Sequence, residues 1–135
     1  MAEVLREGIA PIQPDLTTLD NVRSFTPEYD AETDTLFLSP DNPRVATSVD
    51  CAGELWIRVD PESGEIVGVE IEDFEGVFIK NHPDVAAAWR KVRPRSLIRK
   101  TKVAKADSFP ATLVAFLRGF LPRCSPQQRL IVMPA

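Results

Sequence analysis

Residues 29–74 read YDAETDTLFLSPDNPRVATSVDCAGELWIRVDPESGEIVGVEIEDF, and here alone apolar and polar residues alternate strand after strand. In Glu54–Asp60 the positions Leu55, Ile57 and Val59 are apolar and alternate with Glu54, Trp56 and Arg58, the period of two of a half-buried strand. Glu65–Glu72 repeats it with Val67, Val69 and Ile71, Ile66 being the exception. Because cross-strand partners share a face, loop length decides which sets meet. A three-residue loop Glu62-Ser63-Gly64, closed by Gly64 at positive φ, puts Val59 opposite Val67, whereas two or four residues would turn one apolar set to the other side. With Cys51-Ala52-Gly53 as the preceding loop, Val49 meets Leu55, Thr47 meets Ile57 and Val45 meets Val59.

One face is therefore expected to carry Val45, Val49, Leu55, Ile57, Val59, Val67, Val69 and Ile71, joined by Leu36 and Leu38 from the strand before. Burying such side chains stabilises by roughly 1.5–3 kcal/mol each. A single sheet cannot bury its own face, so material from downstream must cover it. The fold class that follows is α+β: an antiparallel β-meander of four to six strands with two C-terminal helices packed on it.

The segments YDAETDTLFL and ELWIRVDPESGEIVGVEIEDF resemble the two signature stretches of a small bacterial family called domain of unknown function 2283, over residues 29–76. Asp60, Gly64, Ile66, Val67, Gly68 and Glu70 are the most specific part of the likeness. The resemblance implies a small β-meander with a helix packed on it and carries over no catalytic residue. It also implies, through members suspected as partners of small toxin-like proteins, an antitoxin-like binding role. Family members usually end soon after the last strand, whereas here about sixty residues follow it.

A chain of 135 residues with 44% hydrophobic content suits one domain with its own core. Within it, 1–21 reads as an N-terminal arm, 22–76 as the meander and 77–135 as a helical, basic part. The start MAEVLREG lacks the pattern of a secretory signal, and no run approaches the roughly 18 apolar residues of a membrane span. The expectation is a cytoplasmic protein. Cys51, placed in a turn, and Cys124 have neither disulfide-framework nor metal spacing and read as free thiols. The net charge of −4 conceals a division: residues 1–84 hold 19 acids and 5 bases, residues 85–135 one acid and 11 bases. Either the basic half meets nucleic acid or an acidic partner, or it packs against the acidic sheet of its own or a sister subunit.

Taken in order, Ala2–Glu7 suggests a short helical turn and Val22–Tyr29 a first edge strand containing Pro27. Asp30 reads as a turn cap. Glu70, Glu72, Asp73 and Glu75 read as a solvated acidic edge rather than a metal site, since nitrogen and sulfur ligands are missing. Pro83 and Asp84 open a helix whose stripe is Val85, Ala88, Trp89 and Val92, ending before Pro94. The single histidine, His82, reads as a cap or surface residue at its start. Asp107 or Ser108 caps a second helix, apolar through Leu113, Val114, Phe116, Leu117, Phe120 and Leu121 and stopped by Pro122. Gln127–Met133 resembles a final strand able to extend the sheet or pair with a neighbour's edge.

No glycine-rich phosphate loop, nucleophile elbow or metal-ligand spacing is present, so no catalytic residue, cofactor or metal is assigned. The expected function is a non-enzymatic interaction or assembly module, forming a homodimer or binding a small protein. Phe37 and Trp56 on the non-core face, with Phe116, Phe120 and Ile131, are the candidate contacts; Phe37 and Trp56 could instead sit under the second helix. One alternative is nucleic-acid association through Arg95, Arg99, Lys100 and Lys102 of the basic run Arg90–Lys105. Another is an unrecognised ligand- or metal-dependent enzyme using His82, Cys51 or the acidic cluster.

Overall fold

The parity of the loop between Val59 and the next strand governs how the sheet is built. The computed structural model describes residues 13–42, 44–94, 100–103 and 108–123. Among them, β1 (Thr26–Asp30), β2 (Thr35–Ser39), β3 (Thr47–Cys51), β4 (Leu55–Val59), β5 (Ile66–Ile71) and β6 (Lys100–Lys102) form one antiparallel sheet in the order β3-β4-β5-β2-β1-β6. The meander proper is β3-β4-β5, and the β1–β2 hairpin docks on β5 through Leu36↔Ile71 and Leu38↔Val69.

Ile57 stands opposite Val69 as the alternation requires, and both are buried. The route to that register differs from the three-residue loop. Asp60 and Glu65 close the hairpin (Asp60 N–H to the Glu65 carbonyl, 2.8 Å), leaving four loop residues. Val59 therefore faces Ile66, while Arg58 faces Gly68. A bulge absorbs the extra residue at Val67 and restores the parity that the loop alone would have broken. Ile66, the exception in the alternation, thus joins the core in place of Val67, which is buried outside the main cluster.

The β3–β4 register is displaced by two residues from the expected one: Thr47 faces Val59, Val49 faces Ile57 and Cys51 faces Leu55. A shift of two keeps every side chain on its face. Cys51 is consequently a buried strand residue, not a turn residue. Val45 falls before the strand starts and is 83% exposed, so it leaves the expected core row.

The N-terminal part is also more structured than an arm. A 3-10 helix, Leu16–Ser24, starts at Asp15, whose carboxylate accepts the Thr17 N–H at 3.0 Å, and it buries Leu19 and Val22. The Thr18 hydroxyl accepts the Ile66 N–H at 3.0 Å, satisfying a backbone donor at the bulge. Ala2–Glu7 lies outside the described residues.

β1 begins only at Thr26 and is not an edge, because β6 pairs with it. Pro27 nevertheless sets a limit. Its carbonyl accepts the Val103 N–H at 3.0 Å, but it has no N–H to return, and the β1–β6 ladder stops there.

The core face is covered by the 3-10 helix, α2 (Pro83–Val92) and α3 (Ser108–Phe120), with α3 packed on both others. Their Leu19, Val22, Val85, Trp89, Phe109, Leu113 and Leu117 join Leu36, Leu38, Val49, Leu55, Ile57, Val59, Ile66, Val69 and Ile71 in one cluster. The apolar run after β5 becomes a π-helical turn, Phe74–Phe78, followed by the single turn α1 (Ile79–Asn81). It delivers Phe74 and Phe78 to the core, where Phe74 meets Trp89 edge-on at 5.1 Å. The expected last strand, Gln127–Met133, lies outside the described residues.

Candidate functional site

Side chains alternate along each strand, so the residues opposite the core row line up across the other face of the sheet. Cross-strand register strings six of them together: Asp50 on β3, Trp56 on β4, Glu70 on β5, Phe37 on β2, Glu28 on β1 and Lys102 on β6. Phe37 and Trp56 therefore flank Glu70 directly, at the 4.5–5.5 Å spacing typical of such Cβ pairs. Neither belongs to the core cluster that the helices complete, so they do not sit under α3. Both are half-buried. Among the described residues the Trp56 indole N–H has no hydrogen-bond partner.

Glu70 stands between the two aromatic positions of this row. Burial pushes its carboxyl above the ordinary value, the charge of Glu72 adds to that, and Arg58 opposes it. Arg58 lies along β4 beside Gly68: a Cβ placed on that glycine would be 3.2 Å from Arg58 Cδ. The missing side chain at residue 68 lets the arginine stem lie flat over the sheet. At the far end, β6 sets Lys102 opposite Glu28 and Lys100 opposite Asp30.

The sequence's charge division is in part folded back on itself. Arg93 Nε and Nη2 reach the two Glu75 oxygens at 2.5 and 3.1 Å, and Arg118 Nη2 reaches Asp20 Oδ1 at 2.6 Å. Glu75 also accepts the Trp89 indole N–H at 2.6 Å, so it is a buttress of α2 rather than one more solvated acid. The hydrogen bond from Arg93 holds its carboxyl below the usual range against the opposing effect of burial. Lys102 and Arg93 thus face acids of their own chain; Arg95 and Arg99 lie outside the described residues.

Phe116 and Phe120 belong to a different place. They stack on each other at 5.1 Å and, with Phe78, surround His82, whose ring centroid is 4.6 Å from Phe116 and 4.5 Å from Phe78. His82 Nε2 lies 2.7 Å from Glu54 Oε1. The histidine occupies the position before Pro83 but caps α2 with no side-chain bond; it ties the β3–β4 turn to the helices instead. Phe116 and Phe120 are packed against the core on the helical side, so the structure does not bring them together with Phe37 and Trp56. Ile131 lies outside the described residues.

Two features were not visible in the residues. The Glu54–His82 contact joins positions 28 apart and has no local pattern. Asp34 gathers four donors: the Tyr29 hydroxyl at 2.6 Å, the Glu75 N–H at 2.8 Å and the Gly76 N–H at 2.8 Å on its carboxylate, and the Phe74 N–H at 2.9 Å on its carbonyl. It anchors the start of the π turn, in the manner of a helix cap. Asp30, by contrast, caps its turn as expected, accepting the Glu32 N–H at 2.9 Å. Among the described residues no group of three or more His, Cys, Asp and Glu is placed to hold a metal ion, and no helix is long and apolar enough to cross a membrane.

On this frame, residues 28–74 match the model of a family described as a protein of unknown function, DUF2283. The match runs from within β1 to Phe74 and takes in the Phe37–Glu70–Trp56 row; the 3-10 helix, α2, β6 and α3 lie in the flanks outside it. No curated protein and no solved structure matches the chain.

Proposed function

We propose that this chain is a non-enzymatic protein-interaction module that offers the face of its sheet opposite the core row to a protein partner. Trp56 carries the reading: a large ring outside the core, with an indole N–H lacking a partner among the described residues, in a row of acids. Tryptophan in such a setting supplies contact area and a donor at once, which is why it is enriched among interface anchors. A small toxin-like protein, the partner class implied by the family resemblance, is one instance of such a ligand, and a second copy of the chain is another.

The test is Trp56→Ala. Truncation of a ring outside the core is expected to leave the melting temperature nearly unchanged and to abolish retention of a partner captured by the wild-type protein. A photo-crosslinker at position 56 should label that partner, and one at exposed Val77 should not. A large fall in melting temperature for Trp56→Ala, or equal labelling from both positions, would overturn the reading.

A further inference from the structure

Resting on that reading, we infer that the Trp56–Glu70 pair is a receiving site for an arginine side chain on a basic segment of the partner protein, with Glu70 as acceptor and the Trp56 ring as stacking surface.

Three observations carry the choice of partner. First, the charge is right and is locally in excess. Glu70, Glu72 and Asp50 crowd the β3–β4–β5 end of the face, with Arg58 as the cation near them among the described residues. Arg58 makes no ion pair within 4 Å there, and its stem is committed to the surface of Gly68. Second, Glu70 itself has no hydrogen-bond or ion-pair partner among the described residues, although it is half-buried. A carboxylate so placed gains from a charged donor that arrives with its own geometry. Third, the same row already takes a cation in register at its other end, where the chain's own Lys102 stands opposite Glu28.

Arginine fits better than lysine for a geometric reason. A carboxylate beside an indole ring in register presents an acceptor with a planar face next to it. A guanidinium can accept both, hydrogen-bonding in its plane and stacking on its face, whereas an ammonium can use the acceptor only as a point charge. The acidity of this face also argues against nucleic acid as its occupant.

The experiment titrates the full chain with a nine-residue arginine peptide and its lysine counterpart at physiological salt, reading tryptophan emission with Trp56→Phe as the blank for buried Trp89. The arginine peptide is expected to perturb Trp56 and to bind tighter than the lysine peptide by a factor of about five or more. Glu70→Gln should lose that preference, while Glu62→Gln, in the exposed β4–β5 loop, should keep it. Glu70→Gln should also melt no lower than wild type, since it removes a carboxylate that burial disfavours. Equal binding of the two peptides, or equal losses in Glu70→Gln and Glu62→Gln, would mean diffuse attraction to an acidic surface and would overturn the arginine site. In that event a partner still crosslinked from position 56 would leave the interaction reading standing, whereas loss of crosslinking alone, with the arginine preference intact, would remove the protein partner and not the site.

Discussion

Tyr29 donates its phenolic hydrogen to Asp34 Oδ1 across 2.6 Å, which ties the first strand to the β1–β2 turn residue that accepts the first N–H groups of the π-helical segment. Burial first, and then this bond and the negative charges of Asp34 and Glu75, hold the phenol well above the ordinary tyrosine value of about 10. A raised value in the folded state means that the folded protein keeps its proton when the unfolded chain has lost it. The associated stability is fully present below about pH 10 and is lost as pH rises through the folded value. Tyr29 is the single tyrosine of the chain, so ultraviolet absorbance reads it alone. The expected record is no tyrosinate signal between about pH 10 and 11, followed by its appearance together with loss of helical circular dichroism. A free titration centred near the ordinary value, with the fold intact, would contradict the placement of this hydroxyl.

Replacing the acceptor tests the same junction from the other side. Asp34 has a φ of 56°, a left-handed conformation that asparagine tolerates as well as aspartate. Asp34→Asn therefore removes charge from three hydrogen bonds while leaving the backbone at ease. The expected cost is about 2–3 kcal/mol, read as a lower urea midpoint at unchanged slope. Asp34→Ala should cost more, because it adds left-handed strain to the loss of the acceptor.

Glu75 makes an acid-side prediction of the opposite sign. Its carboxyl is depressed, chiefly by the Arg93 hydrogen bond and, against the opposing effect of burial, by the Trp89 indole. Stability from this group is present above the unfolded glutamate value of about 4.3 and is lost as pH falls through the lower folded value. Glu75→Gln should destabilise at neutral pH by about 1–2 kcal/mol, since Arg93 is partly solvated and its pairing is screened. Thermal scans of both proteins should converge as pH drops below about 4, where the wild type has lost the same charge. A constant gap between them down to pH 2.5 would place the role of Glu75 in packing rather than charge.

The sheet was legible because alternation survives local error. Ile57 and Val69 could be paired from parity alone, yet the loop between them has four residues and Val67 makes up the difference in a bulge. A parity rule fixes the sum of loop and bulge, not its division, which depends on the Thr18 hydroxyl reaching Ile66 from a helix residue 48 positions earlier. Likewise the α2 stripe identified Trp89 as core, but nothing near it in sequence names Glu75 as partner of its N–H. The non-core residues Phe37 and Trp56 could be assigned a face from alternation. Their meeting around Glu70 required knowing that β2 lies beside β5, a non-local choice that no single strand encodes.

The two glycine turns give the final prediction, because similar backbone angles sit in unlike surroundings. Gly53 has φ +71° with open space where a Cβ would stand, in a turn where Ala52 is also left-handed and the Glu54 N–H returns to the Cys51 carbonyl at 3.0 Å. Two successive positive φ angles are the mark of a tight hairpin turn whose twist suits the flanking strands. Gly53→Ala should cost only the left-handed penalty of about 1–2 kcal/mol. Gly64 has φ +79°, but a Cβ there would lie 2.7 Å from the Gln13 carbonyl oxygen, and its own carbonyl accepts the Asp15 N–H at 2.8 Å. Gly64→Ala must therefore push the backbone before the 3-10 helix off the turn, threatening the Asp15 cap and the Thr18–Ile66 bond with it. Its expected cost is about 3–4 kcal/mol, the left-handed strain plus that of overpacking against main chain. Denaturant midpoints of the two variants should differ accordingly. Hydrogen exchange at Ile66 should accelerate in Gly64→Ala by more than its global loss of stability explains, whereas in Gly53→Ala it should follow the global loss. Equal effects from the two substitutions would show that the N-terminal segment does not rest on this turn.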